Sequence, residues 1–524
     1  MHILPKPMTY TKKEETYTLP YPYVNICCAD FDTACYTVFL ERTGREYGPS
    51  NSCNITIHKQ ASYDIEEYSL VVETDGINIV ASSVTGVIMA LTTLHQLISN
   101  NGIIRCCNIH DKPRYLHRGL SLDCARQFYP VSDIKNIIEQ MSKVKLNTLH
   151  WHLTNDQAWR IESTRYPKLH QKYGSAYYSQ ADIRDIVSYA SLRGIEIVPE
   201  IDMPGHTIGL LASYPDVSCF GKEVKPAEYG GVYATVLCAG NENTYSFIES
   251  LLDEICPLFP SPRFHIGGDE VPKHEWRKCI HCQEKMKELN LDEVQLQGYF
   301  SNRIIEVLKK HNKQAICWND SLEATNFNNE ATIQYWTVQH EDSMPGFIQM
   351  GGQVIYSEMF SFYFDYPHSM TPLKRVYQDP IEIMGKDCTD SIIGIEACLW
   401  AEHIPTVKRL GEQLFPRLYA IAERAWSHEH NYPDFIVRLS RFMEIFHLPE
   451  VSFTPKDKWD PQGQTRQQDM LAHMGVMAAA MPTEIREETM RNITLNKSFQ
   501  EKYNKSFFVL EEDMPILERM RMAQ

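Results

Sequence analysis

Phe264-His265-Ile266-Gly267-Gly268-Asp269-Glu270 is a short apolar run that stops at two glycines and hands over to two adjacent carboxylates. The pattern reads as a buried strand that ends abruptly with charge at its tip. Burying an ionised carboxylate is costly unless it is paired or neutralised, so two in a row at the end of an apolar strand imply a task for them. The simpler reading is a strand end that meets water, with Asp269 as N-cap of the following helix.

The same arrangement recurs on both sides of this stretch. Gly119-Leu120-Ser121-Leu122-Asp123 leads to a helical pattern near Val131 to Lys143, and Asn147-Thr148-Leu149-His150-Trp151-His152-Leu153 to one near Ala181 to Leu192. Gly194-Ile195-Glu196-Ile197-Val198-Pro199-Glu200 leads past His206 to a helix near Thr244 to Leu252. Later candidates are Ala315 to Trp318, Thr332 to Trp336, Val354 to Tyr356 and Ile395 to Trp400. Eight strands, most separated by helices, over roughly 300 residues predict a (β/α)8 TIM barrel. A doubly wound open sheet is the alternative, but no glycine fingerprint for a dinucleotide follows any of the strands. In a barrel the C-terminal strand ends converge on one pocket. Such a pocket would collect Arg118, Asp156, His206, Asp269, Glu270, Trp318, Trp336, Tyr363, Asp365, Trp400 and Glu402.

Residues 1–112 read as a small α+β domain, with a hairpin turn at Asp75-Gly76 and an amphipathic helix from about Thr85 to Leu97. The barrel is expected over 113–448. Residues 449–524 are polar, with amphipathic runs such as Glu484 to Leu495, and are expected to form helices packed on the barrel. The expected class is therefore α/β: a barrel preceded by a small α+β domain and followed by C-terminal helices.

A formal net charge of -16 argues against nucleic acid or an anionic membrane as the main partner. The N-terminal stretch lacks the apolar core of a signal peptide and no run approaches a membrane span, so a soluble protein is expected. Fifteen cysteines without regular spacing read as reduced thiols, which points to the cytoplasm. Cys279-Ile280-His281-Cys282 has metal-ligand spacing, but no second pair follows that would close a tetrahedral site. The expectation is helix-surface thiols and no metal. Asn54-Ile55-Thr56 and Asn492-Ile493-Thr494 match the glycosylation pattern, which carries little meaning in a cytoplasmic chain.

Aromatic walls with carboxylates and an arginine suit a sugar, whose ring stacks on indoles and whose hydroxyls take charged hydrogen bonds. Conventional glycosidases flank the glycosidic bond with two carboxylates. Asp269 and Glu270 are neighbours whose side chains should diverge, so they are poorly placed for that scheme.

Five motifs carry a resemblance. They are Arg118 to Asp123, His150-Trp151-His152-Leu153-Thr154-Asn155-Asp156-Gln157, Pro204-Gly205-His206-Thr207, His265 to Glu270 and Leu399-Trp400-Ala401-Glu402. In this order they resemble family-20 glycoside hydrolases, the β-N-acetylhexosaminidases of bacterial type, and Tyr68 to Leu97 resembles that family's small N-terminal domain. The resemblance implies exo-acting, retaining, substrate-assisted cleavage of β-linked N-acetylhexosaminides without cofactor or metal. Glu270 is then general acid and base, and Asp269 holds and polarises the acetamido group. Trp318, Trp336 and Trp400 resemble the indole walls, Tyr363 the tyrosine that hydrogen-bonds the acetamido oxygen, and Arg118, Asp365 and Glu402 the grip on ring hydroxyls.

Simpler readings stand beside these. Trp318 and Trp336 could instead be barrel core, His206 a loop histidine satisfied by backbone, and Asp123 and Arg126 bridges between the first strand and its neighbours. Asp156 follows Asn155 where the family has a pair of aspartates. Two other functions fit the same barrel: a disaccharide-releasing glycosidase and a catalytically silent carbohydrate-binding protein.

Overall fold

The computed structural model describes residues 3–48, 52–386, 388–446 and 449–480. Eight parallel strands close on themselves: β1 His117–Asp123, β2 Thr148–His152, β3 Glu196–Glu200, β4 Arg263–His265, β5 Gln314–Trp318, β6 Thr332–Tyr335, β7 Val354–Tyr356 and β8 Ile392–Leu399. The barrel shuts where β8 pairs with β1, from Gly394 opposite His117 to Leu399 opposite Leu122. Closure excludes the open doubly wound sheet.

Helices cover the outside with apolar stripes. In the helix Val131–Lys143, Ile134, Ile137, Ile138 and Met141 are buried at the i, i+3, i+4, i+7 spacing that one helical face requires. The inside of the barrel is polar below the pocket. Glu396 is gripped by His117 (2.7 Å) and His150 (2.9 Å), and Glu200 by His265 (2.9 Å) and the Trp318 indole (3.0 Å). Burial pulls His150 down, but Glu200 and Glu396 outweigh it and hold the imidazole up at about 10. Buried charges persist only when paired in this way, and the network forms a fixed floor for the strand ends above it.

Before the barrel lies a six-stranded sheet in the order Thr9–Thr18, Ile103–Asp111, Tyr68–Val72, Ile77–Ala81, Ile55–Lys59, Ile26–Cys28. The hairpin expected at Asp75-Gly76 joins its third and fourth strands, and the helix Val84–Leu97 packs on them. Trp426, from the barrel helix Arg417–Trp426, is built into this domain's core, and its indole donates to Asp111 (2.9 Å).

Arg118 belongs to this junction and not to the pocket, which corrects the expectation. It stands at the N-terminal end of β1, fully buried, with both terminal nitrogens on the Glu66 carboxylate (2.7 and 2.6 Å) and its guanidinium over Trp426. The reason is directional: Arg118 precedes the apolar run of its strand, and a parallel barrel delivers such a residue to the face opposite the active end.

Two further expectations about cysteine change. Cys27 and Cys53 are bridged in the N-terminal domain. Cys279 and Cys282 are buried, not helix-surface thiols, and face Cys219 and Cys238. The missing pair precedes them in sequence and is brought there by the loop after β3. After the barrel, the helix Gly463–Ala480 packs through Met470 on Phe360 and Met370. The run Glu484 to Leu495 lies outside the described residues.

Candidate active site

The opening motif makes a tight turn at the C-terminal end of β4. Gly267 and Gly268 adopt φ of 67° and 95°, and a Cβ on Gly267 would fall 1.7 Å from Asp202 Oδ1, so only glycine fits. The turn is held from three sides: Gly268 N–H donates to Asp202 (3.2 Å), Gln297 donates to Gly268 O (2.8 Å), and Trp318 N–H to Gly267 O (3.0 Å). Glu270 follows with a left-handed φ of 49°, and its carboxylate and that of Asp269 both face His206 Nε2. Asp269 caps no helix, since the next one begins at Ile280.

The two carboxylates differ in environment. Asp269 is 13% exposed and its Oδ1 has no hydrogen-bond partner among the described residues, whereas Glu270 is 39% exposed. Burial, and then Asp202 beside it, push Asp269 well above the usual carboxylate range against the pull of His206. His206 Nε2 lies 3.7 Å from Asp269 and 3.4 Å from Glu270, and its Nδ1 is 3.1 Å from Asp156. Burial alone would lower this imidazole, but Asp156, Glu270 and Asp269 together raise it well above its ordinary value. His206 is therefore part of the site and not a loop histidine satisfied by backbone.

Asp156 stands behind His206 and not at the pocket wall, a second correction. It is buried, with Oδ2 on His206 and Oδ1 taken by the Ile208 N–H (3.1 Å). Its backbone N–H rests on the Asn155 amide, which in turn meets His152 (2.9 Å). Asn155 thus supports the loop from within the barrel.

Trp318, Trp336, Tyr363 and Trp400 form one aromatic cluster at the mouth. Trp336 and Tyr363 lie nearly parallel with centroids 6.0 Å apart, Trp400 meets Tyr363 edge-on at 6.0 Å, and Trp318 lies beneath at 5.8 Å from Trp400. Each indole is oriented by a polar anchor or a neighbour: Trp318 donates to Glu200, and Trp336 to Asp320 (2.6 Å). Trp400 stands edge-on to His152 at 5.2 Å. Trp318 is close to the core reading, at 1% exposure, while still forming the base of the cluster.

Against the cluster, Glu402 lies 3.0 Å from Arg126, whose guanidinium also contacts Asp123 (3.1 Å) and covers the Trp400 ring. Asp365 is in the same electrostatic neighbourhood. Burial lifts its carboxyl to about 7, backbone hydrogen bonding opposing and Glu402 adding to the rise. Asp365 Oδ1 and Arg126 Nε are buried polar atoms without an aligned hydrogen-bond partner among the described residues. Unpaired buried acceptors are expensive, so the free oxygens of Asp269 and Asp365 around one aromatic cluster describe a site shaped for a polar ligand.

Sequence reasoning missed Arg126 as a pocket residue, and it missed Asp202 and Asp320. All three follow closely on a strand end, Arg126 three residues after Asp123, Asp202 two after Glu200 and Asp320 two after Trp318. The strand-end rule that selected the other residues would have found them.

Comparison with known proteins agrees with this geometry. Glycosyl hydrolase family 20, catalytic domain, matches residues 115–429, and domain 2 of the same family matches 1–112. A β-hexosaminidase of Porphyromonas gingivalis is 34% identical over 84% of this chain and 62% of its own length. One of Vibrio furnissii is 32% identical over 71% of this chain and 67% of its own. This chain therefore spans about two thirds of those relatives. Among solved structures, the β-N-acetylhexosaminidase of Bacteroides fragilis superposes with a TM-score of 0.78 at 29% identity, covering 86% of this chain and 97% of that one. The exo-β-N-acetylglucosaminidase of Vibrio harveyi, in complex with N-acetylglucosamine, gives 0.77 at 29% identity over 86% and 78%. With the catalytic-domain match spanning the whole barrel and the Asp269-Glu270 turn at its mouth, the chain belongs to glycosyl hydrolase family 20.

Proposed function

We propose that this protein is an exo-acting β-N-acetylhexosaminidase that removes terminal β-linked N-acetylhexosamine by retaining, substrate-assisted catalysis. The observation that carries the reading is the buried, unpartnered Asp269 Oδ1 beside the aromatic cluster. An acetamido N–H would satisfy that oxygen, its methyl would fill the space between the indoles, and its carbonyl oxygen would be directed at the anomeric carbon. Glu270 donates a proton to the leaving oxygen while the acetamido oxygen closes an oxazolinium ring. Water activated by Glu270 then opens the ring with net retention. Arg126, Asp365 and Glu402 take the ring hydroxyls.

A nucleophile supplied by a carboxylate other than Asp269, whose free oxygen is the one given to the acetamido N–H, is disfavoured because the others around Glu270 are engaged. Asp202 accepts from Gly268, Asp320 from Trp336 and from the Glu270 N–H, and Asp156 from His206 and Ile208. The exo mode is supported by the excursion after β3, whose Tyr229 carbonyl accepts from Gln157 (2.6 Å) and whose Gly230 packs against Glu402, which sets the excursion over the hydroxyl grip. The relatives named β-hexosaminidase add to this. A cytoplasmic setting belongs to the same reading, supported by the buried unbridged thiols, Cys124, Cys256 and Cys317 among them, which outnumber the single Cys27–Cys53 bridge found among the described residues; recovery of the activity from an extracytoplasmic fraction would overturn it.

The test is a pair of aryl glycosides differing at C2. Intramolecular positioning of a nucleophile is worth roughly 7–11 kcal/mol, so a plain β-glucoside should fall many orders of magnitude below the N-acetylglucosaminide in kcat/KM. Comparable turnover, or a covalent glycosyl-enzyme on a protein carboxylate, would overturn the mechanism. Release of disaccharide from a chitooligosaccharide would overturn the exo assignment.

A further inference from the structure

Away from the pocket, the sulfurs of Cys219, Cys238, Cys279 and Cys282 all lie within 4.8 Å of one another. Cys238 Sγ is 3.7 Å from Cys279 Sγ and 3.7 Å from Cys282 Sγ, and Cys219 Sγ is 3.9 Å from Cys282 Sγ. A disulfide brings sulfurs to about 2.0 Å, so these pairs are not bridged. Four sulfurs on a tetrahedral zinc, each about 2.3 Å from the ion, stand about 3.8 Å apart. These three separations match that edge length, and the other three stay within 4.8 Å.

The four residues come from three separate places in the chain. Cys279 and Cys282 form a C-x-x-C at the start of the helix Ile280–Leu289, while Cys219 and Cys238 close the base of the excursion after β3, next to the antiparallel bridge between Ser218 and Leu237. Cys238, Cys279 and Cys282 are buried and Cys219 partly so. The segments are pressed together: a Cβ on Gly240 would fall 2.3 Å from the His281 carbonyl, and the Trp276 indole donates to Leu237 O (3.0 Å). Scattered buried cysteines pack as small hydrophobes and need no mutual approach. Four converging from three segments, with one pair at C-x-x-C spacing, make a ligand set.

We propose that these cysteines bind one zinc ion as thiolates in a closed, structural site. Four protein ligands leave no position for water, so the ion takes no part in glycoside cleavage. Its work is mechanical. It ties the excursion, whose Tyr229-Gly230 tip meets Gln157 and Glu402 at the rim, to the segment that runs from Asp269-Glu270 into the next helix. The metal fastens both walls of the pocket from behind.

The full chain, purified under reducing conditions without chelator, should contain one zinc per molecule, and X-ray absorption should give a sulfur-only shell of four at about 2.3 Å. Cys279→Ser/Cys282→Ser should lose the metal, while Cys256→Ser, outside the cluster, should keep it. Should the double variant fail to fold, the wild-type chain still decides. Cobalt replacing zinc should produce the thiolate charge-transfer and tetrahedral ligand-field bands, and chelation should expose residues 219–238 to protease. Absence of zinc together with no uptake of zinc or cobalt, a shell containing nitrogen or oxygen ligands, or disulfides within the cluster in the reduced preparation would each overturn the proposal.

Discussion

His206 Nε2 stands 3.4 Å from Glu270 Oε2, and both residues hold a left-handed backbone, with φ of 52° and 49°. Non-glycine residues in that region cost on the order of 1–3 kcal/mol and persist only where the surroundings enforce them. Here the enforcement joins two loops so that one imidazole faces both carboxylates, with Asp156 fixing its far nitrogen. Against burial, Asp156, Glu270 and Asp269 favour the charged form of the His206 imidazole and raise it well above its ordinary value. Asp156 raises its affinity for protons, so Asp156→Asn should move the alkaline limb of the kcat/KM profile toward lower pH, by about one unit or more. An unmoved limb with unchanged kcat would reduce Asp156 to a loop support.

Glu270 is the more exposed carboxylate and the one placed to meet a leaving group. Glu270→Gln should nearly abolish cleavage of natural glycosides, whose alkoxides need a proton, while sparing aryl substrates with acidic phenols. Equal losses on both would remove it from the role of general acid.

Asp269 acts on charge that develops as the acetamido ring closes. One preorganised polar group of this kind contributes about 2.7–4 kcal/mol, so Asp269→Asn should lower kcat on the order of 100-fold or more. A change confined to KM would mean that Asp269 binds the ground state only.

The barrel was legible because its signals are local. Each strand is an apolar run with a polar or glycine end, and His265 to Glu270 marks one such end without ambiguity. Depth and direction were not legible. Asp156 lies on the expected loop, but that His206 stands between it and the pocket depends on how two loops pack. Arg118 and Arg126 are eight positions apart, one at the start of β1 and one just past its end, and which of them reaches the mouth depends on the polarity of that strand. The cysteine cluster was invisible for a third reason: its two halves are separated by the whole of β4, and only the parallel pairing of β3 with β4 sets the loops that follow them side by side.

Asp202, behind the Gly267-Gly268 turn, offers a test in stability. Burial lifts its carboxyl from the ordinary 3.8 to about 8, Glu200 adding to the rise and His206 opposing it. The folded chain therefore holds a proton that the unfolded chain gives up, and the stability so conferred is full below about pH 4 and lost as pH rises through about 8. Asparagine can still accept from the Gly268 N–H and cannot ionise. Between about pH 5 and about pH 9 the Tm of Asp202→Asn should fall less than that of the wild type. Parallel declines would show that Asp202 is ionised throughout, although Asp269, shifted in the same direction, leaves some slope in both proteins.

The two arginines of the first strand's motif should separate fold from site. Arg118→Met strips the partner from Glu66 and empties the space over Trp426, and breaking a buried pair from one side costs about 3–5 kcal/mol. The Tm should drop, and in the temperature range where the variant remains folded kcat and KM should match the wild type, because nothing at the mouth has moved. Arg126→Met removes a donor to substrate. Asp123 stays satisfied without it, accepting N–H groups from Ala125, Arg126 and Ala401 (2.9, 3.0 and 3.0 Å), so the loss of stability should be the smaller of the two. A hydrogen bond to a charged group contributes about 1.5–3 kcal/mol, which predicts a rise in KM of roughly 10- to 100-fold for Arg126→Met. If Arg118→Met raised KM while Arg126→Met did not, the sugar would be gripped from the junction with the N-terminal domain, and the placement of the pocket at the C-terminal end of the barrel would be wrong.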